Sequence, residues 1–344
     1  MLPEDSAFVA GMLDEYGSRV RVAMADYLGP REPRRYLYNL VADYPRRGGR
    51  MLRPSLCLAT ARAFGATLDE ALRTAVAIEM LHNAFLVHDD VEDESDTRRG
   101  RPTLNALHGA PMAVNVGDAL IFVGLRALLD NAEPLGLPLT MRVLVQAEQM
   151  VRETVEGQSI ELGWRRDNAI HLGEADYLNM ILKKTCWYTT IFPMRAGALI
   201  ASRGDVNLDS FTRFGFFAGA AFQIQDDLLN LIGEPTKYGK ELNGDIQEGK
   251  RTLMLIHLLE HASPEEKIRL TGILSKPRFD RGAADVAWIR DRMDAHLSIP
   301  YAQRVAHGLA GAAQHAFEEV FGNVPDSRDR RFVQGIVRWV LART

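Results

Sequence analysis

The segment AFLVHDDVED, residues 84–93, ends an apolar run in four carboxylates, and AFQIQDD, residues 221–227, repeats the pattern A-F-x-[V/I]-x-D-D 137 positions downstream. On a helix, Asp89 and Asp93 project from one face, about 6 Å apart along the axis. Such a pair can chelate a hard divalent cation. Mg²⁺ takes oxygen ligands and shares its remaining sites with water and phosphate oxygens. In the second cluster, Asp226, Asp227 and Asn230 reproduce the i, i+4 spacing with an amide in the last place. One such cluster reads as readily as a solvated acidic helix end; two copies behind similar apolar leads are harder to dismiss.

Carboxylates this close repel, so cations are expected between them. Arg98 and Arg99 follow the first cluster in DTRRGRPT, Lys183 and Lys184 stand in LKKTCW, and Lys240, Lys250 and Arg251 follow the second. Upstream, RRGGRMLRPS sets Arg46, Arg47, Arg50 and Arg53 around a glycine pair. Such a loop can present backbone N–H groups and guanidinium forks to a phosphate. Paired acids for a metal, with separate groups of cations, point to substrates carrying diphosphates.

Helices must position these groups. Spacings of three and four recur along the chain, as in Leu72, Val76, Met80, Asn83 and Leu86, while strict alternation is hard to find. Proline and glycine cluster near 29–33, 45–49, 100–102, 109–111, 134–138, 233–235, 239–244 and 275–277. Between those breaks lie roughly ten to thirteen helical segments of about 12 to 25 residues. The expected fold is all-α, one domain over 1–344, with no Gly/Ser-rich linker and no short-period repeat. The stretch from about Pro264 to Ile299 is the least legible, and no function is placed there.

Bulk properties exclude several classes. A chain of 344 residues, 47% hydrophobic, supplies ample core. Its 41 Lys+Arg against 45 Asp+Glu give a net charge of −4, which argues against nucleic-acid binding through bulk charge. Cys57 and Cys186 are too few and too far apart for a disulfide framework or zinc ribbon, and they read as buried small residues in a reducing cytosol. The start, MLPEDSAFVAGMLDEYG, lacks a basic region before an apolar core, so no signal peptide is expected. No apolar run is expected to reach the roughly 18 to 20 residues of a membrane span. A soluble, cytoplasmic protein is the expectation.

Taken in order, DDVED with DTRRGRPT, GQSIEL, KKT, FQIQDDLLN, GK and EGKRT resemble the trans-isoprenyl diphosphate synthases, or polyprenyl synthetases. The likeness runs from about Arg46 to Thr252, roughly 60% of the chain. It implies an all-helical isoprenoid synthase fold around a central cavity. It also implies Mg²⁺-dependent head-to-tail (1′-4) condensation of isopentenyl diphosphate with an allylic diphosphate to a linear trans-prenyl diphosphate. The family's two aspartate-rich motifs fall on Asp89, Asp90 and Asp93 and on Asp226, Asp227 and Asn230. Together these would hold three Mg²⁺ ions around the allylic diphosphate, with Asp89, Asp93 and Asp226 as direct ligands.

Arg98, Lys184 and Lys240 match family positions that grip the same diphosphate, and Lys250 is a further candidate. Thr185 and Gln223 match positions lining the reacting carbon. Isopentenyl diphosphate would be held by Arg50, Arg53, His82 and Arg99, while His88 reads as structural. Proton loss to the departing diphosphate would need no side-chain base. Three departures stand out: Arg50 where the family usually has Lys, Asn230 for the last Asp of the second motif, and Glu161 in a place more often held by Asp. None removes a needed charge.

Phe85 and Ala84, four and five residues before Asp89, would meet the growing chain about 6 to 7.5 Å below it. One bulky group beside a small one favours a C20 product, geranylgeranyl diphosphate, with C15 next. Family members are commonly homodimers, for which the apolar stretch 113–129 could serve; burial inside the monomer would explain it equally. Two other functions remain open. A class I terpene cyclase would normally carry an N-D-x-x-S-x-x-x-E type second motif in place of the second DD. A non-catalytic partner subunit of a prenyl synthase tends to lose aspartates, and here the first motif is whole.

Overall fold

A capping box starts the helix that carries the first acidic cluster: Thr67 accepts a hydrogen bond from the Glu70 backbone N–H, and the Glu70 side chain accepts one from the backbone N–H of Thr67. From there the chain winds unbroken over Leu68–Glu92, with Asp93 at its end. A computed structural model describes residues 3–233 and 242–342; the expected site residue Lys240 lies outside the described residues. Thirteen α-helices of eight residues or more are present among them, in agreement with the all-α expectation. They are α1 (Pro3–Tyr27), α2 (Leu52–Ala63), α3 (Leu68–Glu92), α4 (Ala110–Leu129), α5 (Leu137–Arg166), α6 (Glu174–Ile181), α7 (Phe192–Ala201), α8 (Asp209–Ile232), α9 (Leu253–His261), α10 (Pro264–Leu274), α11 (Ala283–Ala295), α12 (Ser298–Phe321) and α13 (Arg328–Leu341).

Small residues let the central helices approach closely. A Cβ added at Gly124 of α4 would lie 3.1 Å from Leu81 Cγ on α3, and one at Gly117 only 2.3 Å from His88 Nε2. The second acidic cluster ends α8, whose Phe211, Phe214, Ala218, Ala221, Ile224 and Leu228 recur at helical spacing and are buried. Phe214 meets Phe317 and Phe321 of α12 edge to face, at ring separations of 5.7 and 6.1 Å. One hydrophobic cluster runs through all of these helices.

Two departures from plain α-helix matter for the site. Residues Leu182–Ile191, between α6 and α7, wind as a wider π-helix, a form concentrated at functional sites. Among the described residues, the one strand pairing is a short antiparallel hairpin in which Thr97 faces Pro102 and Arg98 faces Arg101. Its central residues, Arg99 and Gly100, both take positive φ, 54° and 69°, as a tight hairpin turn requires. The turn sends Arg98 and Arg99 to different neighbours. The stretch Ala110–Leu135 does reach the length and apolarity of a membrane span, contrary to the sequence expectation; in the bundle, α4 packs along α3.

Candidate active site

A cavity of about 460 Å³ opens where the C-terminal parts of α3 and α8 meet α5 and the π-helical turns. Its polar end is lined by Asp89, Asp226, Asp227, Arg98, Lys184 and Lys250, and its apolar part by Phe85, Leu86, Ile121, Val151 and Phe222. Asp89 of the first cluster therefore shares one cavity with Asp226 and Asp227 of the second, while Asp93 and Asn230 line a separate recess with Asp245, Glu248 and Lys250.

Asp89 and Asp93 close a helix at its C-terminal end, where the backbone dipole disfavours negative charge. Cations from four other places compensate. Arg98 bonds Asp90 and reaches Asp89 at 3.3 Å. Lys184 bonds Glu161 and stands 3.6 Å from Asp89. Asp93, 1% exposed, receives Lys250 at 2.6 Å and Arg165. Burial opposes ionisation of Asp93, but Lys250, Lys184 and Arg165 outweigh it and hold its pKa below the ordinary value. Burial likewise disfavours the Lys184 ammonium, and Glu161 and Asp89 more than restore it.

Close backbone approach seats Lys184. A Cβ at Gly157 of α5 would fall 2.2 Å from the Lys184 backbone nitrogen, so only glycine lets α5 meet the π-helical segment there. In that segment Lys184, Thr185 and Tyr188 all line the cavity. Thr185 donates to Gln223 Oε1 at 2.9 Å, and Gln223 donates in turn to Asp227 Oδ1 at 2.7 Å. Asp227 also accepts from Tyr177 at 2.7 Å. Its partners there are uncharged, and burial raises its carboxyl to about 7. Asn230 is buried and accepts from the Asp245 backbone N–H at 3.1 Å, which fastens the residues after α8.

On the far wall, Arg53 lies over the Tyr188 ring at 4.4 Å and 3.4 Å from His82 Nε2. Arg53 Nε and His82 Nδ1 are buried without a partner among the described residues, a costly state unless a ligand completes them. Burial, then the nearby Arg53 and Arg99, push His82 well below its usual pKa, so it is neutral. Arg99 reaches across to the carbonyl oxygens of Tyr44 and Gly48.

Some expected residues stand elsewhere. Arg50 is exposed and stacks on Trp339, 5.1 Å from the ring, because Met51 turns the chain with φ of 53°. It does not line the cavity. Asp90 is fully buried and anchors Arg98 while accepting from Tyr44 at 2.5 Å. Ala84 is fully buried outside the cavity lining, which Phe85 alone of that pair reaches. His88 bonds the Val114 carbonyl at 3.3 Å and Asp118 at 3.4 Å while edging the cavity.

The stretch thought silent does reach the site: Arg278 donates to the Asp93 carbonyl and to Glu248 at 3.2 Å, and Arg281 to the Gln247 carbonyl. Arg278 thus touches the first cluster, and Arg281 braces the Gln247 backbone near it, within the stretch 264–299 where the sequence placed no function. Sequence reasoning also passed over Tyr44, Tyr177, Arg165 and Tyr188, single residues with no motif around them. Among the described residues no three His, Cys, Asp or Glu side chains converge as a finished metal site. The carboxylates are hard donors that suit Mg²⁺, and phosphate oxygens would have to complete the shell.

An all-α bundle holding two acidic helix ends and a ring of cations over an apolar cavity defines the isoprenoid diphosphate class. The polyprenyl synthetase family model matches residues 34–289, and the chain belongs to that family, whose members are isoprenyl diphosphate synthases, prenyltransferases. A geranylgeranyl pyrophosphate synthase of Geoglobus acetivorans is 32% identical over 83% of this chain and 89% of its own. An octaprenyl diphosphate synthase of Haemophilus influenzae is 30% identical over 79% of this chain and 78% of its own. The crystal structure of a geranylgeranyl pyrophosphate synthetase from Pyrococcus horikoshii superposes with a TM-score of 0.85 at 29% identity, covering 98% of each chain.

Proposed function

We propose that the chain condenses isopentenyl diphosphate with an allylic diphosphate, 1′ to 4, to a linear trans-prenyl diphosphate, with C20 the main product and C15 next. The observation that carries this reading is the meeting of Asp89, Asp226 and Asp227 with Arg98, Lys184 and Lys250 at the mouth of one apolar cavity. Asp89, Asp93 and Asp226 would hold Mg²⁺, three ions in all. Bound there, magnesium would draw off the charge that develops on the departing diphosphate.

Arg98 and Lys184, with Lys240 beyond the described residues, grip that diphosphate, each contact worth several kcal/mol in the transition state. Lys250 and Arg165, which pair with Asp93, stand beside the carboxylates that would hold the metal and supply further positive charge for phosphate. Arg53, His82 and Arg99 take the isopentenyl diphosphate; the unpartnered Arg53 Nε and His82 Nδ1 support this. Arg50 would have to swing from Trp339 to join them. Thr185 and Gln223 face the reacting carbon from the opposite wall. Phe85, Leu86 and Phe222 exclude water, which would otherwise trap the cation. The departing diphosphate takes the proton.

Phe85, with Tyr188 against it at 5.7 Å, is the floor of the chain-length reading; relatives range from geranylgeranyl to octaprenyl synthases, so the spread of names does not fix the product. Incubation with Mg²⁺, labelled isopentenyl diphosphate and C5, C10 or C15 allylic diphosphates tests the whole reading. Longer linear diphosphates are expected; hydrocarbons would mean a cyclase, and no turnover a partner subunit. Phe85→Ala should lengthen the product by one or more C5 units on chromatography.

We also propose a homodimer, a single domain and a cytosolic setting. Among the described residues, nine of the sixteen exposed large apolar side chains fall between residues 107 and 155, among them Phe122, 69% exposed, and Val145. Such a concentration marks a contact face, and a second copy covers it by two-fold symmetry. Phe122→Asp should yield monomer by light scattering; an unchanged mass would discard this face.

A further inference from the structure

Outside the cavity, a groove of about 690 Å³ runs between α1, the turn after it and the loop before α2. Arg21, Arg34 and Arg46 line it, Met24 and Leu28 give it an apolar side, and no carboxylate faces it. None of these three guanidinium groups pairs with a carboxylate among the described residues, although the Arg34 backbone N–H donates to Glu32 at 2.7 Å and Arg21 donates to Ser18 at 3.3 Å; Arg73, Arg126 and Arg331 on other surfaces each form an ion pair. The charge is regional. Residues 31–53 hold seven arginines against Glu32 and Asp43, a net of +5 in a chain of −4, which leaves −9 for the remainder. Arg47 and Arg53 are engaged inside; Arg31, Arg34, Arg35 and Arg46 are exposed, Arg31 over Tyr38 and Arg35 over Tyr36, itself 62% exposed. Unpaired guanidinium groups over an apolar wall suit a ligand with a phosphate at one end and hydrocarbon at the other.

We propose that this groove binds a phosphate-bearing amphiphile, its phosphate on Arg21, Arg34 and Arg46 and its hydrocarbon along Met24 and Leu28. Gly48 edges the groove, and its carbonyl accepts from Arg99, so a bound ligand bears on the backbone that sets an arginine of the cavity. The same chemistry has two sources: a soluble prenyl diphosphate, whose choice as a probe rests on the proposed function, or the head group of an anionic phospholipid. With arginines in place of carboxylates, the groove needs no divalent cation, unlike the cavity.

The test is therefore equilibrium binding in EDTA. Geranylgeranyl diphosphate below its micelle concentration forms one arm. Phosphatidylcholine vesicles with and without phosphatidylglycerol form the other, each with the native chain and with Arg21→Gln/Arg34→Gln. Saturable binding that survives EDTA is expected in one arm or both, weakened about tenfold by the double substitution. It should fall steeply from about 50 to about 500 mM NaCl and return with Arg21→Lys/Arg34→Lys. The responding arm names the source. Absence of EDTA-resistant binding in both arms, or equal binding by the glutamine variant with an unchanged helical spectrum, overturns the proposal. Failure of condensation in the Mg²⁺ assay leaves this result untouched, so the two readings fail separately.

Discussion

The two aspartate clusters look alike in sequence and differ in electrostatics. Around the first, Lys250 and Arg165 hold Asp93 ionised, and Arg98 pairs with the buried Asp90. In the second, Asp227 takes its hydrogen bonds from Tyr177 and Gln223, and burial lifts its carboxyl to about 7. One motif is a compensated set of charges; a member of the other is a poorly ionised acid in a neutral network. The residue types are shared, so the difference comes from what distant elements bring to each helix end.

That contrast can be broken at four points. Arg98→Leu would strip the fully buried Asp90 of its cation, and should cost about 3 to 5 kcal/mol by urea unfolding; a small loss would mean that the pair contributes little to the fold. Asp89→Ala should lower kcat about 10²-fold or more with little effect on folding. Asp227→Asn removes at most a hydrogen bond's worth of positioning, about tenfold in rate. A larger loss than that of Asp89→Ala would reverse the ranking of the clusters.

The same variant sharpens the pH dependence. A carboxyl raised from 3.8 to about 7 stabilises the fold below about pH 4, and that contribution is lost as pH rises through about 7. Asp93, lowered, does the opposite: its contribution is present above its unfolded pKa and lost on acidification. In EDTA, Asp227→Asn should remove the decline in stability between about pH 4 and pH 7; an unchanged slope would assign it to other groups. Smallest of all, Tyr44→Phe should cost about 1 kcal/mol, by removing one hydrogen bond to Asp90.

What was legible follows from where the information lies. The i, i+4 carboxylates, the apolar leads of α3 and α8, and the KKT, GQSIE and RRG stretches are local patterns, and the fold brings them to one place. Tyr44 lies 46 residues before Asp90, and Tyr177 50 before Asp227; lone residues at such distances carry no period. Arg50 and Ala84 do not line the cavity because loop direction or helix phase separates a lining side chain from one turned away, which no local pattern records. Arg53 and Phe85 are the neighbours that do line the cavity. Residues 264–299 lack a motif because Arg278 and Arg281 act through backbone carbonyls and Glu248, which any well-placed arginine can bond.

Gly157 bears no charge and lines no part of the cavity, yet a methyl group there would meet the peptide of Lys184 at 2.2 Å. The two coils would have to separate, and the ammonium that spans Glu161 and Asp89 would be carried off with one of them. A single hydrogen-to-methyl exchange at position 157 would thus behave like the removal of a positive charge: the spacing between two backbones is itself part of how this protein distributes its electric field.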